Sequence, residues 1–491
     1  MQRLNGLVKM LRRGEKRLLR HLYTANNNGE KRLRLELFEL IESGKINSDS
    51  DARIALGSKQ SDSAYSHLKT RLREDILNVL LLQESPKRIV QPNRAAVFEC
   101  WKKLAQAYVL IFRGAKQEGG RILKSAADLA DRYELSAEKV LINHVIREAL
   151  YSFTDVKQLN LVNENIRGDL SVWMDVLRSE EISFVMTLPH LYKDTYMVKE
   201  LGFEASMIDE LRSLFNKTGT SRIGFWYYLA FVEHCTNSGE YEKALKAGHQ
   251  FLELVEKSPA VRSKNNIAGV NQTLGLIYLE LRKFDEAIKF LARSEKLFPP
   301  TTGFNRLLCL QSLTLATTAN GNLSEALQQV NTALNHPRIS GREHLIPQWL
   351  FIQAGLEFLS GDVEASFKTV NKEGYLLKHP DEWNIQLRLL EMLQLIEMKD
   401  EDWLDFKLDA TRKFLTRHKE LDTPRVRAAV DVISNLLRKD LDFSQLSDKS
   451  LAQINNCIEE KEDYQWKPSS PELVRFDFWF EKKRKANQAN E

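Results

Sequence analysis

The amino-acid sequence predicts an all-α fold in which helical hairpins stack into a superhelical solenoid, preceded by a small helical region and followed by a non-helical cap. Two observations lead to this prediction. Proline and glycine are scarce, with 12 and 22 among 491 residues, which favours long helices over a β-rich fold with many tight turns. In the middle of the chain a glycine is repeatedly followed, five residues later, by alanine or serine, and such repetition is typical of helical arrays.

The first 90 residues are basic and predict short amphipathic helices. They contain 18 Lys and Arg against 11 Asp and Glu. Apolar side chains at helical spacing predict short helices over 15–23 and 32–41 and a stronger amphipathic helix over 63–82. Pro86 and Pro92 follow this helix and predict a domain boundary close to residue 90.

Two functions stay open for this basic region. Lys69, Arg71 and Arg73 lie off the apolar stripe of the helix over 63–82, where they would be placed to contact nucleic-acid phosphates. A helix-turn-helix has a tight turn between its two helices, however, whereas residues 43–62 separate the helices here. The sequence therefore favours a region that caps the solenoid and keeps a DNA-binding regulator as the alternative.

Residues 94–224 predict further helical hairpins with a less regular pattern. The segments 94–112 and 117–133 predict one hairpin, in which Ala126 and Ala130 mark positions of close packing. More helical segments are expected at 137–153, 156–165, 169–187 and 206–216, with an interruption at Pro189.

The clearest repeat extends from Asn271 to Pro299. Gly275 and Ala287 are small residues at the predicted crossing of two antiparallel helices, and Tyr278 fills the space beside them. Pro299 is expected to end the second helix. This segment resembles the tetratricopeptide repeat (TPR) motif. Five of the family's eight signature positions are matched, by Leu274, Gly275, Tyr278, Ala287 and Pro299.

Weaker copies flank this repeat, at Gly239–Ala244, Gly321–Ala326 and Gly361–Ser366. The equivalent small residues are 43, 39 and 40 positions apart, in the order Ala244, Ala287, Ala326 and Ser366. A regular TPR has a period of about 34 residues, so longer helices or longer loops are expected here. Further hairpins are predicted downstream, over Trp383–Lys399, Trp403–Lys419 and a helix that begins at Pro424.

The TPR resemblance implies a scaffold or adaptor that binds another protein or a peptide, and implies no cofactor. In TPR proteins the first helix of each hairpin lines the concave face, where a peptide or a partner helix lies. The register places these candidate groove residues on that face: Trp226, Glu233, Gln272, Glu280, Gln311, Thr318, Gln348 and Phe351. Leu229, Glu233 and Thr273 stand where chaperone-binding TPR domains carry lysine and asparagine, so an acidic chaperone tail is not the expected partner.

Motifs of catalysis are missing from the sequence. It has no P-loop, no GxGxxG, no GxSxG and no HExxH, so we expect no catalytic residue. The second alternative function is an enzyme whose active site is assembled from residues distant in sequence. His336 and His344 lack a third nearby ligand, so no metal site is expected. The four cysteines form no CxxC pair and no long apolar stretch occurs, which predicts a cytoplasmic protein without a membrane span.

The last segment, Tyr464–Phe480, leaves the helical pattern. Pro468 and Pro471 oppose a helix, and four aromatic residues fall within 475–480. Such a segment either docks on a partner or folds back over the last helix pair, because terminal repeats need covering; the second interpretation is favoured. We therefore expect five regions: a basic helical region at 1–90, degenerate hairpins at 94–224, TPR-like repeats at 225–380, further hairpins at 381–463, and a Pro/aromatic cap with a basic tail at 464–491.

Overall fold

A computed structural model gives the architecture of the protein. The structure describes residues 1–24, 29–46, 48–57, 61–83, 91–150, 156–191, 205–298, 304–337, 339, 345–371 and 381–488. Within these residues the regular structure consists of α-helices and short 3-10 helices, without strands. The predicted all-α fold is confirmed. The chain divides into two compact units, residues 1–106 and residues 107–491.

The first unit contains five helices and most of a sixth, inside which the boundary between the two units falls. They are α1 (Gln2–Met10), α2 (Arg13–Thr24), α3 (Gly29–Glu42), α4 (Asp49–Ala55), α5 (Asp62–Gln83) and the start of α6 (Pro92–Phe112). Pro92 opens α6, a position where its missing N–H costs no helical hydrogen bond. Leu19, Leu37, Phe38 and Leu72 are fully buried in the core of this unit. Asp75 accepts hydrogen bonds from Tyr23 (2.8 Å) and Arg34 (2.7 Å) at the edge of that core.

The second unit is a chain of helices in which each helix packs mainly on its neighbours in sequence. After α6 come α7 (Lys116–Arg132), α8 (Ser136–Leu150), α9 (Val156–Leu191), α10 (Ala205–Thr218), α11 (Ser221–Asn237), α12 (Tyr241–Lys257), α13 (Lys264–Glu280), α14 (Phe284–Leu297), α15 (Phe304–Ala319), α16 (Leu323–Leu334), α17 (Leu345–Leu359), α18 (Val363–Val370), α19 (Glu382–Met398), α20 (Glu401–Arg417), α21 (Pro424–Leu437), α22 (Asp448–Ile458) and α23 (Phe476–Gln488). Contacts between sequence neighbours define a helical-repeat array.

The repeat at α13–α14 packs as its signature predicts. A Cβ added to Gly275 would lie 2.5 Å from Leu291 Cγ, so only glycine allows this close approach of α13 to α14. Ala287 is fully buried at the same crossing. Tyr278 stacks on Phe290, with 5.2 Å between ring centroids. Pro299, the predicted stop of the second helix, lies outside the described residues.

The turns between the two helices of each hairpin require a left-handed residue. Gly321 and Gly361 have φ of 83° and 90°, a conformation that glycine adopts without steric cost. At the equivalent turn of the near-consensus repeat, Arg282 takes φ of 59°. This is strained backbone for a residue with a Cβ, and strain of this kind persists where other contacts hold the residue in place.

Two sequence predictions about helices were wrong. Residues 156–165 and 169–187 form the single helix α9 instead of two, and Pro189 lies inside its last turn. A glycine in a helix costs only about 1 kcal/mol, so the packing of buried α9 side chains such as Val162, Val176 and Ile182 outweighs Gly168.

The second correction concerns the C-terminal cap, which is only partly non-helical. Residues 465–475 are irregular, as the two prolines predict, but residues 476–488 form α23. Helix formation resumes because Phe476 and Phe480, one turn apart, are both buried against the rest of the unit. We call residues 465–475 the C-terminal strap.

Candidate partner-binding surface

The first helices of the hairpins lie next to one another and form a common face. Beyond the contacts between sequence neighbours, α13 contacts α15, α17 contacts α19, and α19 contacts α21. Gln272, Gln311 and Phe351 occupy equivalent positions on α13, α15 and α17, because they are separated by the same 39 and 40 residues as Ala287, Ala326 and Ser366. These three candidate groove residues therefore belong to one row on this face.

Among the described residues, those of the strap cover the row at its Phe351 end. Gln272 and Gln311 are half-buried. Among the described residues, the Nε2 amide of Gln311 lies buried without a hydrogen-bond partner. Phe351, in contrast, is 4% exposed and borders a small internal cavity that is closed by Leu473 and Val474 of the strap.

The strap lies against the first helices in an irregular conformation that includes a turn at 468–471. The backbone N–H of Ser469 donates to the Glu280 carboxylate at the end of α13 (3.2 Å). A Cβ added to Gly355 on α17 would lie 3.2 Å from Leu473 Cδ1. The absence of a side chain at Gly355 thus lets the strap approach the helix backbone closely.

A buried ionic cluster holds the strap to α21. Arg425 donates to both carboxylate oxygens of Glu472 (2.6 and 2.7 Å) and lies 3.1 Å from an oxygen of Asp477. All three side chains are at most 6% exposed. Arg475 adds two hydrogen bonds to Asp477 (2.6 and 3.0 Å) and one to Glu460 (3.0 Å). Short hydrogen bonds between the paired charges, bidentate between Arg425 and Glu472, offset the free-energy cost of removing these charges from water.

Helix α23 continues the attachment beyond the strap. The indole N–H of Trp479 donates to Glu397 on α19 (3.1 Å), and the Lys483 ammonium donates to the same carboxylate (2.6 Å). Phe480 is fully buried and packs near Phe443. The predicted aromatic run therefore covers the last hairpins of this chain, which was the favoured interpretation of it.

The remaining candidate groove residues are spread over several environments. Glu280 contacts the strap, and burial together with the nearby Glu280 carboxylate raises the pKa of Tyr241. Thr318 donates to the carbonyl of Thr314 in its own helix (2.7 Å). Trp226, Glu233 and Gln348 are half-buried on α11 and α17, and Trp226 packs on a cluster around Ile182 and Leu211. The repeat register thus assigns Gln272, Gln311 and Phe351 to one row, and the structure places Trp226 in another cluster.

Sequence reasoning missed Arg425, Glu472 and Asp477. One signal was present, because Glu472 and Asp477 interrupt an otherwise apolar and aromatic segment. Acidic side chains inside such a segment need a buried cationic partner. The partner itself lies on another hairpin, so its identity depends on the fold.

In the first unit, two of the three basic candidates for DNA contact form ion pairs with acidic residues. Lys69 lies 2.8 Å from Asp49, and Arg71 lies 3.1 Å from Glu30. Arg73 is exposed. The charge of Lys69 and Arg71 is therefore partly compensated within the unit, which reduces the electrostatic attraction to phosphates.

This pairing makes the stability of the first unit depend on pH. The hydrogen bond from Lys69, with further ones from Tyr65 and the N-terminus, lowers the pKa of Asp49 to about 2. The ordinary value in an unfolded chain is about 3.9, so the contribution is present above pH 4 and is lost as pH falls towards 2. For Lys69→Met we expect a stability deficit below about 1 kcal/mol at pH 5, because Asp49 is 42% exposed, and this deficit should shrink at pH 3.

Urea unfolding followed by circular dichroism at pH 5 and pH 3 measures this effect. The matched control is Arg71→Met on the same helix, whose partner Glu30 is 57% exposed; for Arg71→Met we expect a smaller deficit. A stability deficit of Lys69→Met that is equally large at both pH values would contradict the proposed coupling of Lys69 to the ionised Asp49 carboxylate.

No metal or membrane feature emerges from the described part of the chain. There, no group of three or more His, Cys, Asp or Glu residues is arranged to hold a metal ion. His336 is buried, and His344 lies outside the described residues. None of the described helices combines the length and the apolar character that crossing a membrane requires.

The hairpins, their glycine turns and the small residues at their crossings define a TPR-like helical-repeat protein, as the sequence predicts. No protein-family model and no curated protein matches the chain. Among solved structures, it is similar to the apo form of the quorum sensor NprR from B. thuringiensis, with 14% identity and a TM-score of 0.45 over 68% of this chain and 86% of that one.

Two other solved structures are similar to it. One is a Rap protein complexed with competence and sporulation factor, with 13% identity and a TM-score of 0.41 over 72% of this chain and 99% of that one. The other is a STAND signal-transduction ATPase with a tetratricopeptide repeat sensor from Pyrococcus horikoshii, with 12% identity and a TM-score of 0.41 over 89% of this chain and 66% of that one.

Proposed function

We propose that this protein is an interaction scaffold that binds an extended segment of a partner protein on the face formed by the first helices of its repeats. One observation carries this proposal. A non-helical segment of the chain itself, the strap, already lies against the first helices, where it covers Phe351 and approaches α17 at Gly355. A surface that accepts one non-helical polypeptide segment has the shape and the side chains to accept another.

The part of the face that we propose to bind the partner is the row beyond Phe351, formed by Gln311 and Gln272. Both glutamines are half-buried, and an amide offers two donors and an acceptor to a peptide backbone. The Nε2 amide of Gln311 is buried without a hydrogen-bond partner among the described residues. An unsatisfied buried donor costs about 1–3 kcal/mol of stability, so this amide favours a partner that offers an acceptor. A carbonyl group of a bound segment would remove this cost after a rotation of the terminal amide.

Site-specific photo-crosslinking tests the proposal. A photoreactive amino acid is placed at position 311 on α15, or at position 328 on α16 as the control, where Gln328 is exposed on a second helix. We expect a discrete cross-linked protein from position 311 and not from position 328. If both positions gave the same cross-linked protein, or if neither gave one, the face of the first helices would not be the binding site.

The cross-linked partner, once purified, provides the quantitative test. Replacement of both Gln272 and Gln311 by lysine should weaken its binding at least about tenfold, a loss of about 1.4 kcal/mol, because the bulkier charged side chains replace the amide contacts. The control variant Gln328→Lys should bind as the wild type does. Isothermal titration calorimetry measures both affinities.

The DNA-binding alternative has a separate test on the basic region. A regulator that contacts phosphates binds with an affinity that falls steeply as salt increases, and Arg73→Glu should then weaken it. A gel-shift titration with duplex DNA between about 50 and 200 mM salt tests this alternative. Over this range a protein that makes several phosphate contacts loses affinity by a factor of about 10³ to 10⁵. No shift at the lower salt concentration would remove the alternative.

A further inference from the structure

A second surface feature lies on the side of the array where the hairpin turns meet the C-terminal strap. A cleft with a volume of about 920 Å³ lies here. One wall consists of the strap and one side of α23, namely Arg475, Phe478, Lys482 and Ala486. The other wall consists of the ends of α15 and α17 and the turns that follow them.

The floor of the cleft is apolar and partly open to solvent. Leu315, Phe358 and Leu359 line it from the first helices. Leu359 is 38% exposed, and Phe478 on α23 is 50% exposed. Exposed large apolar side chains that line a concave surface mark a place where a partner removes them from water.

Alternating arginine and aromatic side chains form the wall that borders the strap. The Arg282 guanidinium lies 5.7 Å from the Trp466 ring centroid, and Arg475 lies 4.8 Å from Trp466 and 4.2 Å from Phe478. Glu460 pairs with both arginines. The stack is therefore a rigid wall, and it explains why Arg282 stands at a turn where two flanking repeats have glycine.

Three of the four cations of the cleft, Arg282, Arg475 and Lys483, form ion pairs with carboxylates of this chain, so the preference for an anionic group in the occupant rests on the exposed Lys482. Four cations and two carboxylates line the cleft, in the order Arg282, Arg475, Lys482, Lys483, Glu397 and Glu472. Glu397 is engaged by Lys483 and Trp479, and Glu472 is engaged by Arg425. Lys482 is exposed beside Phe478, so a cationic group remains next to the open apolar floor.

We propose that this cleft binds a short acidic peptide segment of a partner protein, with an apolar side chain against Leu359 and Phe478 and a carboxylate near Lys482. The length of the cleft supports a peptide. From Phe478 to Ala486 the helix rises by roughly 12 Å, which matches about four residues of extended chain. The cleft adjoins the face proposed above and includes Thr318 of its candidate groove residues, but none of its floor residues belongs to the row of Gln272, Gln311 and Phe351.

The test uses the full chain and a phage-displayed library of random nonapeptides. The wild type should enrich peptides in which a large apolar residue is flanked by Asp or Glu. Binding of a synthetic enriched peptide, measured by fluorescence anisotropy, should weaken at least tenfold with Leu359→Asp and with Lys482→Glu. The matched control is Lys485→Glu on the same helix, which lies outside the cleft and pairs with Glu481; it should bind as the wild type does.

Circular dichroism spectra and unfolding midpoints verify that the variants keep the fold. Absence of acidic–apolar peptides among the enriched sequences overturns the proposal. So does binding that is unchanged in both cleft variants, or that weakens equally with Lys485→Glu. Peptides that lose affinity with the Gln272 and Gln311 variants but not with Leu359→Asp would overturn the cleft and leave the scaffold proposal intact.

Discussion

Arg425→Met is expected to destabilise the protein by about 3–5 kcal/mol and to loosen the strap from α21. Breaking a buried ion pair by removal of one partner leaves an uncompensated charge in a medium of low polarity. Arg425 is 6% exposed, and its loss removes both hydrogen bonds to Glu472 and the contact with Asp477. Urea unfolding measures the stability, and limited proteolysis within 465–475 reports the release of the strap.

Arg427→Met is the matched control on the same helix. Arg427 also forms two hydrogen bonds to one carboxylate, that of Asp422, but its side chain is 57% exposed. Exposed pairs contribute about 0–1 kcal/mol, so this variant should lose little stability. The double variant Arg425→Met/Glu472→Leu should recover part of the loss, because apolar side chains replace the unpaired carboxylate. Equal losses for Arg425→Met and Arg427→Met would show that burial of the pair does not matter.

The second large effect is expected for Gly275→Ala. The added Cβ would meet Leu291 Cγ at 2.5 Å and Cδ2 at 2.9 Å. Cγ is the branch carbon of Leu291, which is fully buried, so it has no free space into which to move. Overpacking of this kind costs about 1–3 kcal/mol, and it exceeds the gain of about 1 kcal/mol that alanine brings to a helix. The urea midpoint should therefore fall.

Gly269→Ala provides the control within α13. A Cβ at this position meets nothing within 4 Å, so only the helix propensity changes, and the midpoint should rise by an amount that corresponds to about 0.5–1 kcal/mol. The two substitutions are chemically identical and lie on one helix. A fall of the midpoint in both variants would contradict the assignment of Gly275 to the helix crossing.

Local pattern was sufficient for the hairpins. Gly275, Tyr278 and Ala287 predicted the crossing of α13 and α14, because the spacing of side chains along a helix determines which of them meet its neighbour. The glycines at 321 and 361 predicted turns for an equally local reason, since φ of 83° and 90° suits glycine best. The row of Gln272, Gln311 and Phe351 followed from the same register.

Helix continuity was harder to predict. The pattern predicts separate helices over 156–165 and 169–187 and an interruption at Pro189, yet α9 includes all of these residues and Gly168 as well. The local costs of Gly168 and Pro189 compete with packing of side chains from α8, α10 and α11, and packing energies depend on neighbours that are distant in sequence. The helix over 476–488 escaped prediction for the same reason, because Phe476 and Phe480 acquire their burial from other hairpins.

The array of TPR-like hairpins was therefore determined by the sequence alone, because each hairpin depends on side chains that lie within about 40 residues of one another. Which part of its face the strap covers was decided by tertiary structure. The pairing of Arg425 with Glu472 spans 47 residues, and the contact of Arg282 with Trp466 spans 184. No spacing rule relates groups so far apart, and only the stacking of the intervening helices brings the strap onto the face and forms the cleft beside it.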